Sequence, residues 1–328
     1  MTSKTTSRST KDFVFLYLKG MAMGAADVVP GVSGGTIAFI VGVYQELLDT
    51  IKGFNLSIFK TLKEEGIKAT WQKTNATFLV VLLAGIFTSI ISLAKGITFL
   101  LATYPILLWA FFFGLIVASS VIIGRQIKEW NWKTIGMMVI GAAVAFYITI
   151  AAPSQIPDGL IYIFLAGCIA ICAMILPGIS GSFILLLMGA YGTVLGSISG
   201  LVDGLKAVDV PAIMKYGLNI GIFMLGCIVG IISFSNFLSW MFKKAYALTM
   251  ALLTGFMIGS LNKVWPWKET TEFRINSHGE EVPFLQSNIS PMNFEGITGE
   301  QSQLWFAIAL CIVGFLVVFV MEKMAASK

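Results

Sequence analysis

Two short stretches of this 328-residue chain could hold an anion without a charged side chain. Val29-Pro30-Gly31-Val32-Ser33-Gly34-Gly35-Thr36 and Leu176-Pro177-Gly178-Ile179-Ser180-Gly181-Ser182 share a Pro-Gly-x-Ser-Gly core. Pro30 and Pro177 lack an N–H and push the preceding residue out of helical geometry, so each ends a half-helix. Gly31 and Gly178 permit the turn that follows and a close approach to the backbone. Ser33, Thr36, Ser180 and Ser182 can cap the next half-helix. Its unpaired N–H groups and positive dipole end suit a phosphate or carboxylate. The predicted anion contacts are Ser33, Gly34, Gly35, Thr36, Ser180, Gly181 and Ser182. The competing reading is a pair of kinks that let neighbouring helices pack closely.

Three charged residues could act with these breaks. Asp27 stands three residues before Pro30, at a depth where a carboxylate needs a partner or a function. Asp27 and Glu46 are candidates for coupling to a proton or cation; local pairing of Asp27 and a headgroup-level place for Glu46 are the alternatives. Arg125 could grip a phosphate bidentately, or only mark orientation. Nothing else in the chain points to catalysis. The lone histidine, His278, lies in a polar loop, and Cys168 and Cys172 share a helix face with no histidine or carboxylate beside them. No metal site, cofactor or enzyme activity is expected. Without a Walker-type loop there is no nucleotide site, so energy must come from an ion gradient or from the substrate's own gradient.

The elements that position these residues are membrane spans. The chain is 57% hydrophobic and 12% charged, where soluble domains carry roughly 25% charged residues. Apolar stretches of spanning length occupy residues 78–94, 101–123, 135–151, 218–241, 245–261 and 304–320. Two longer stretches, 13–51 and 160–198, contain the breaks. The expected fold is an all-α integral membrane protein with about six full transmembrane helices and two re-entrant helical hairpins. The basic, Ser/Thr-rich start has no apolar core with a cleavage site, so a cleaved signal peptide is not expected.

Loop charges set the orientation. With both broken stretches re-entrant, six of the 22 Lys and Arg residues fall on one side: Lys95, Lys206, Lys215, Lys263, Lys268 and Arg274. The rest share the other side, which is then cytoplasmic and holds both termini. The basic residues are spread between spans, so no nucleic-acid partner is expected. The loop 263–303 faces outward, with Trp265 and Trp267 at its start suited to the membrane interface.

The two halves repeat. Beyond the shared core, Gly42 matches Gly189, Tyr44 Tyr191, Leu48 Leu195 and Ile51 Ile198 at an offset of 147. At an offset of 141, Gly85 matches Gly226, Ser92 Ser233, Gly114 Gly255 and Ser119 Ser260. Asp27 and Glu46 break the match, against Met174 and Thr193. Tails at 1–12 and 323–328 flank repeats at 13–152 and 159–322, each a hairpin plus three spans. Opposite orientation makes them an inverted-topology repeat, an arrangement found in alternating-access transporters.

The paired motifs, together with Met23-Gly24-Ala25-Ala26-Asp27 before the first, resemble the PopT-type undecaprenyl phosphate translocase family over about residues 14–320. The resemblance implies a flippase in the bacterial cytoplasmic membrane. It would return the polyprenyl phosphate lipid from outer to inner leaflet, recycling the carrier for cell-envelope synthesis. The hairpin tips would hold the phosphate while the polyprenyl tail stays in lipid. A secondary transporter of a small soluble anion is the alternative.

Overall fold

The computed structural model describes residues 8–29, 32–55, 57–151, 159–275 and 281–326; Pro30 and Gly31 of the first predicted break lie outside the described residues. The first half opens with α1 (Thr10–Asp27), started by a capping box between Ser9 and Asp12. After the break come α2 (Gly34–Ile40) and α3 (Tyr44–Gly53), then α4 (Ser57–Lys73), α5 (Ala76–Thr103), α6 (Pro105–Arg125) and α7 (Trp132–Ile150). The second half runs α8 (Leu160–Ile175), α9 (Gly181–Leu187), α10 (Ala190–Ala207), α11 (Val210–Lys244) and α12 (Tyr246–Ser260). It continues with β1 (Lys268–Ile275), β2 (Glu281–Asn288), α13 (Pro291–Thr298) and α14 (Leu304–Ala326).

Four helices, α5, α6, α7 and α11, are long and apolar enough to cross a membrane, and α8, α12 and Leu304–Val320 of α14 are shorter apolar helices. The architecture is that of a multi-pass α-helical membrane protein. Short polar devices punctuate it. Asn131 and Thr134 form a capping box on α7, Asp209 caps α11, and Pro105 opens α6 where its missing N–H costs nothing. Gly42 and Gly189, at matching positions, both have φ +71°. That left-handed turn favours glycine, and at the second site α9 and α10 bend by 107°.

Two segments differ from the sequence reading. The segment between the apolar stretches 13–51 and 78–94, given no element in that reading, contains α4, whose mixed polar and apolar surface sets it apart from the spans. The outward loop expected at 263–303 is folded: β1 and β2 form an antiparallel hairpin, followed by α13. Trp265 donates from Nε1 to the Ile289 carbonyl at 2.9 Å, and Trp267 to the Ser302 carbonyl at 2.8 Å. Trp267 and Phe294 are buried with Ile106, Ala110 and Ala307, which docks this cap on the ends of α6 and α14. Alternation over eight residues was too faint beside the apolar spans to mark the strands.

The helices pack through glycines, because in lipid close backbone approach replaces the hydrophobic drive that water supplies. Gly20 lies against Leu82 and Gly85, and Gly24 against Ile86, so α1 and α5 run parallel. Gly167 against Phe223 and Cys227, with Gly226 against Phe164 and Cys168, gives α8 and α11 the same relation. Gly114 meets Cys311 and Gly314 meets Phe111, joining α6 to α14; Gly255 meets Met138 and Gly141 meets Leu252, joining α12 to α7. Each half thus lends its last helix to the other.

A leucine at Gly114 or Gly255 would drive into a backbone carbonyl of the partner helix, costing about 3 kcal/mol or more. Both variants should lower the thermal unfolding midpoint of the purified protein sharply. Gly96, with open space around its Cα, should accept alanine with no loss and a gain of about 0.5–1 kcal/mol.

Candidate functional site

The two breaks meet. Ser33 starts α2, and its hydroxyl accepts from Gly35 N at 3.1 Å. The same hydroxyl reaches the last carbonyls of α8, Met174 O at 3.3 Å and Leu176 O at 3.4 Å. In the other direction Gly178 donates its N–H to Thr36 Oγ1 at 2.8 Å. Ser33 is 2% and Thr36 0% exposed, so these bonds lie inside the protein. Close approach demands small residues here. A Cβ on Gly35 would stand 2.7 Å from the Ile175 carbonyl oxygen, and one on Gly178 2.8 Å from that of Phe256. Gly178 also has φ +86°, the left-handed region that glycine tolerates.

The four hydroxyls expected as caps divide into different roles. Only Ser33 caps its helix. Thr36, a turn further on, serves the opposite break. Ser180 begins α9 without a side-chain cap bond, and its Oγ lies 2.9 Å from Ser182 Oγ. Ser182 is exposed and Gly181 half-buried. A Cβ on Gly181 would lie 2.6 Å from the Ala170 carbonyl oxygen. The breaks are also unequal in their surroundings. α2 packs against α1, α3, α6, α8 and α14, whereas α9 rests mainly on α8 and α10.

Asp27 closes the first break from within its own half. Its Oδ1 accepts from Gly34 N at 2.6 Å, so the first N–H of α2 already holds a carboxylate. Glu46 lies elsewhere, on α3. It accepts from Arg8 Nη2 at 2.5 Å and from Asn75 Nδ2 at 2.9 Å, while Arg8 also sits 5.2 Å from the Phe78 ring centre. Arg125 is exposed at the end of α6, on a cavity of about 430 Å³ shared with Trp130, Met138, Thr254 and Ile258. None of the break residues lines that cavity. Among the described residues no group of three or more His, Cys, Asp or Glu could hold a metal ion.

A second cavity, of about 280 Å³, lies between α9 and the cap and is lined by Lys263 and Lys268. Burial holds both ammonium groups below the ordinary lysine range, Lys268 well below it with the charge of Lys263 adding to the effect. Sequence reasoning passed over both residues as minority loop charges. Their one available signal was closeness to Trp265 and Trp267 at the start of the cap.

Fold and site together define a polytopic membrane protein whose two halves each contain a discontinuous helix, the breaks meeting in the interior. The chain belongs to the Undecaprenyl phosphate translocase-like family, matching it over residues 23–282. It is 46% identical over 316 residues to a polyprenyl-phosphate transporter of Vibrio cholerae serotype O1, covering 96% of this chain and 98% of that relative. A polyprenyl-phosphate transporter of Staphylococcus aureus is 34% identical over 264 residues, 76% of this chain and 85% of the relative. No solved structure matches the chain.

Replacing Thr36 by valine keeps the shape but leaves the buried Gly178 N–H without an acceptor, a loss of about 1–3 kcal/mol. Thr36→Val should therefore lower the unfolding midpoint while Thr36→Ser, which keeps the oxygen, stays close to wild type.

Proposed function

We propose that the protein is a translocase that returns polyprenyl phosphate, undecaprenyl phosphate in the bacterial envelope, from the outer to the inner leaflet of the cytoplasmic membrane. The observation that carries this reading is the meeting of two helix breaks, joined by hydrogen bonds from hydroxyls and N–H groups that a phosphate could take over. The names of the relatives supply the substrate class. A bare phosphomonoester in hydrocarbon would be prohibitively costly, and fixed donors at the midplane replace its water. The headgroup contacts are Ser33, Gly34, Gly35, Thr36, Ser180, Gly181 and Ser182, with the polyprenyl tail left in lipid.

The exchanged glycine contacts support reading the halves as an inverted repeat with re-entrant hairpins and cytoplasmic termini. In that frame the conformation is outward-facing. α3 is tied to α11 at the cytoplasmic end, with Asp49 Oδ1 accepting from Ser239 Oγ at 3.3 Å and Tyr44 edge-on to Phe242 at 6.2 Å. Its counterpart α10 stays mainly on α9 and α11, leaving Ser182 exposed.

Asp27 is the coupling residue in this mechanism. Its carboxylate now occupies the Gly34 N–H that the phosphate needs. Protonation from the outer side weakens that hold and removes a negative charge from the path of the dianion. The headgroup then takes the Gly34 and Gly35 N–H groups with the Ser33 and Thr36 hydroxyls. After the cytoplasmic side opens, Asp27 gives its proton to the cytoplasm, recovers Gly34, and expels the phosphate toward Arg125. Glu46 is less suited to this task, since Arg8 and Asn75 already hold it.

Proteoliposomes with a fluorescent polyprenyl phosphate provide the test. Flipping should be several-fold faster with acid on the Ser182 side than without a gradient. Asp27→Asn, whose amide oxygen can still accept from Gly34, should flip at a rate the gradient does not change. Uptake of soluble phosphate with no lipid flipping would overturn the reading.

A further inference from the structure

We propose that the cavity between the cap and the second hairpin is a docking pocket for a phosphomonoester group, with Lys263 and Lys268 as its cations. The inference rests on the translocase reading for its place at the outer mouth of the path, and extends it to a site away from the breaks. Lys263 Nζ lies 4.2 Å from the Phe183 ring centre, and Lys268 Nζ 3.8 Å from that of Trp109. Lys268 also donates to the Lys263 carbonyl at 2.6 Å. Neither has a carboxylate within 4 Å among the described residues. The acidic neighbour Glu269 follows Lys268 in β1, and alternation along a strand turns it to the opposite face.

Two partly buried ammonium groups on one wall repel each other, and aromatic faces offset only part of that cost. A dianion between them would relieve it. The rest of the lining fits the same ligand. Asn288 Nδ2 donates to Asn262 O at 2.7 Å and Oδ1 at 2.8 Å, while Asn262 Nδ2 donates to Thr149 Oγ1 at 2.7 Å. These bonds brace the polar side of the pocket. The facing wall is apolar, formed by Phe183 and Leu186 of α9. Phe183 directly follows Ser182, so the pocket borders the second break. At about 280 Å³ it is at the small end of ligand sites, roughly 300–1,000 Å³. That size suits a headgroup with the start of a chain, not a whole lipid.

The full-length protein in detergent, probed with farnesyl phosphate and separately with inorganic phosphate, tests the pocket. Lys263→Gln/Lys268→Gln should bind farnesyl phosphate about tenfold more weakly or worse, and Lys263→Arg/Lys268→Arg should retain most of the affinity. Ser287 is exposed on the rim, so a Ser287→Cys variant with both lysines intact provides a measurement that survives misfolding of the lysine variants. Farnesyl phosphate should slow its alkylation by a membrane-impermeant maleimide. Unchanged affinity in the glutamine variant, or unprotected Cys labelling, would overturn the pocket even where the wild type flips lipid normally. Protection by inorganic phosphate alone, with no lipid bound or flipped, would keep the phosphate pocket and remove the lipid-translocase reading.

Discussion

A backbone N–H buried in a membrane protein has no water to turn to, and the bond from Gly178 to Thr36 answers that constraint across the two halves. Breaking a helix in the interior strands several donors and acceptors at once. Here the stranded groups of the second break are satisfied by the first. Ser33 reaches the carbonyls that end α8, and Thr36 receives the N–H that follows Pro177. The second break would lose these partners without its counterpart. The meeting of the breaks is therefore a condition of the second break's form as well as the centre of the proposed site.

The glycine-lined helix pairs make that meeting rigid. α1 with α5 and α8 with α11 anchor the helix that leads into each break, since each pair is locked by backbone contact that leaves no room for a side chain. The exchanged pairs, α6 with α14 and α7 with α12, bind the halves to each other. Between these four fixed pairs the short helices α2 and α9 are the lightest parts, seven residues each. Gly35 of α2 and Gly181 of α9 also sit against backbone carbonyls of α8, so a transport cycle that moves these two while keeping the four pairs intact would have to release those contacts along with the hydroxyl bonds.

Much of the scaffold was legible in the sequence, because apolar length and small-residue spacing are local signals. Pro177 and Gly178 announce the second break, and the matched glycines at 114 and 255 turn out to be helix contacts. What lay beyond reach depended on tertiary placement. Thr36 reads locally as a cap, and only the approach of α8 makes it the acceptor for Gly178. Glu46 reads as a charge near depth, until the tail brings Arg8 beside it at 2.5 Å. Lys263 and Lys268 read as loop charges, because nothing in their spacing tells that β1 folds back over α6 and α9. The cap itself was hidden for a related reason: one short hairpin over a membrane face leaves little period-2 pattern.

The mismatch at Asp27 and Met174 acquires a physical meaning from the way each break is satisfied. In the first half a carboxylate from α1 serves the N-terminus of α2, so that break carries its own anion. In the second half the matching residue contributes only its backbone carbonyl, which Ser33 borrows. Separating the halves would leave α2 still served by Asp27, but would strip the second break of both Ser33 and Thr36. In the proposed mechanism the N–H of the second break would gain from an incoming anion that brings its own acceptors, while the first break would have to release one anion before binding another. An incoming headgroup met first by Ser180–Ser182 and only then by Gly34 would follow that order of need. In the proposed mechanism a single carboxylate, present in one half and absent from the other, would give a nearly symmetric path its direction.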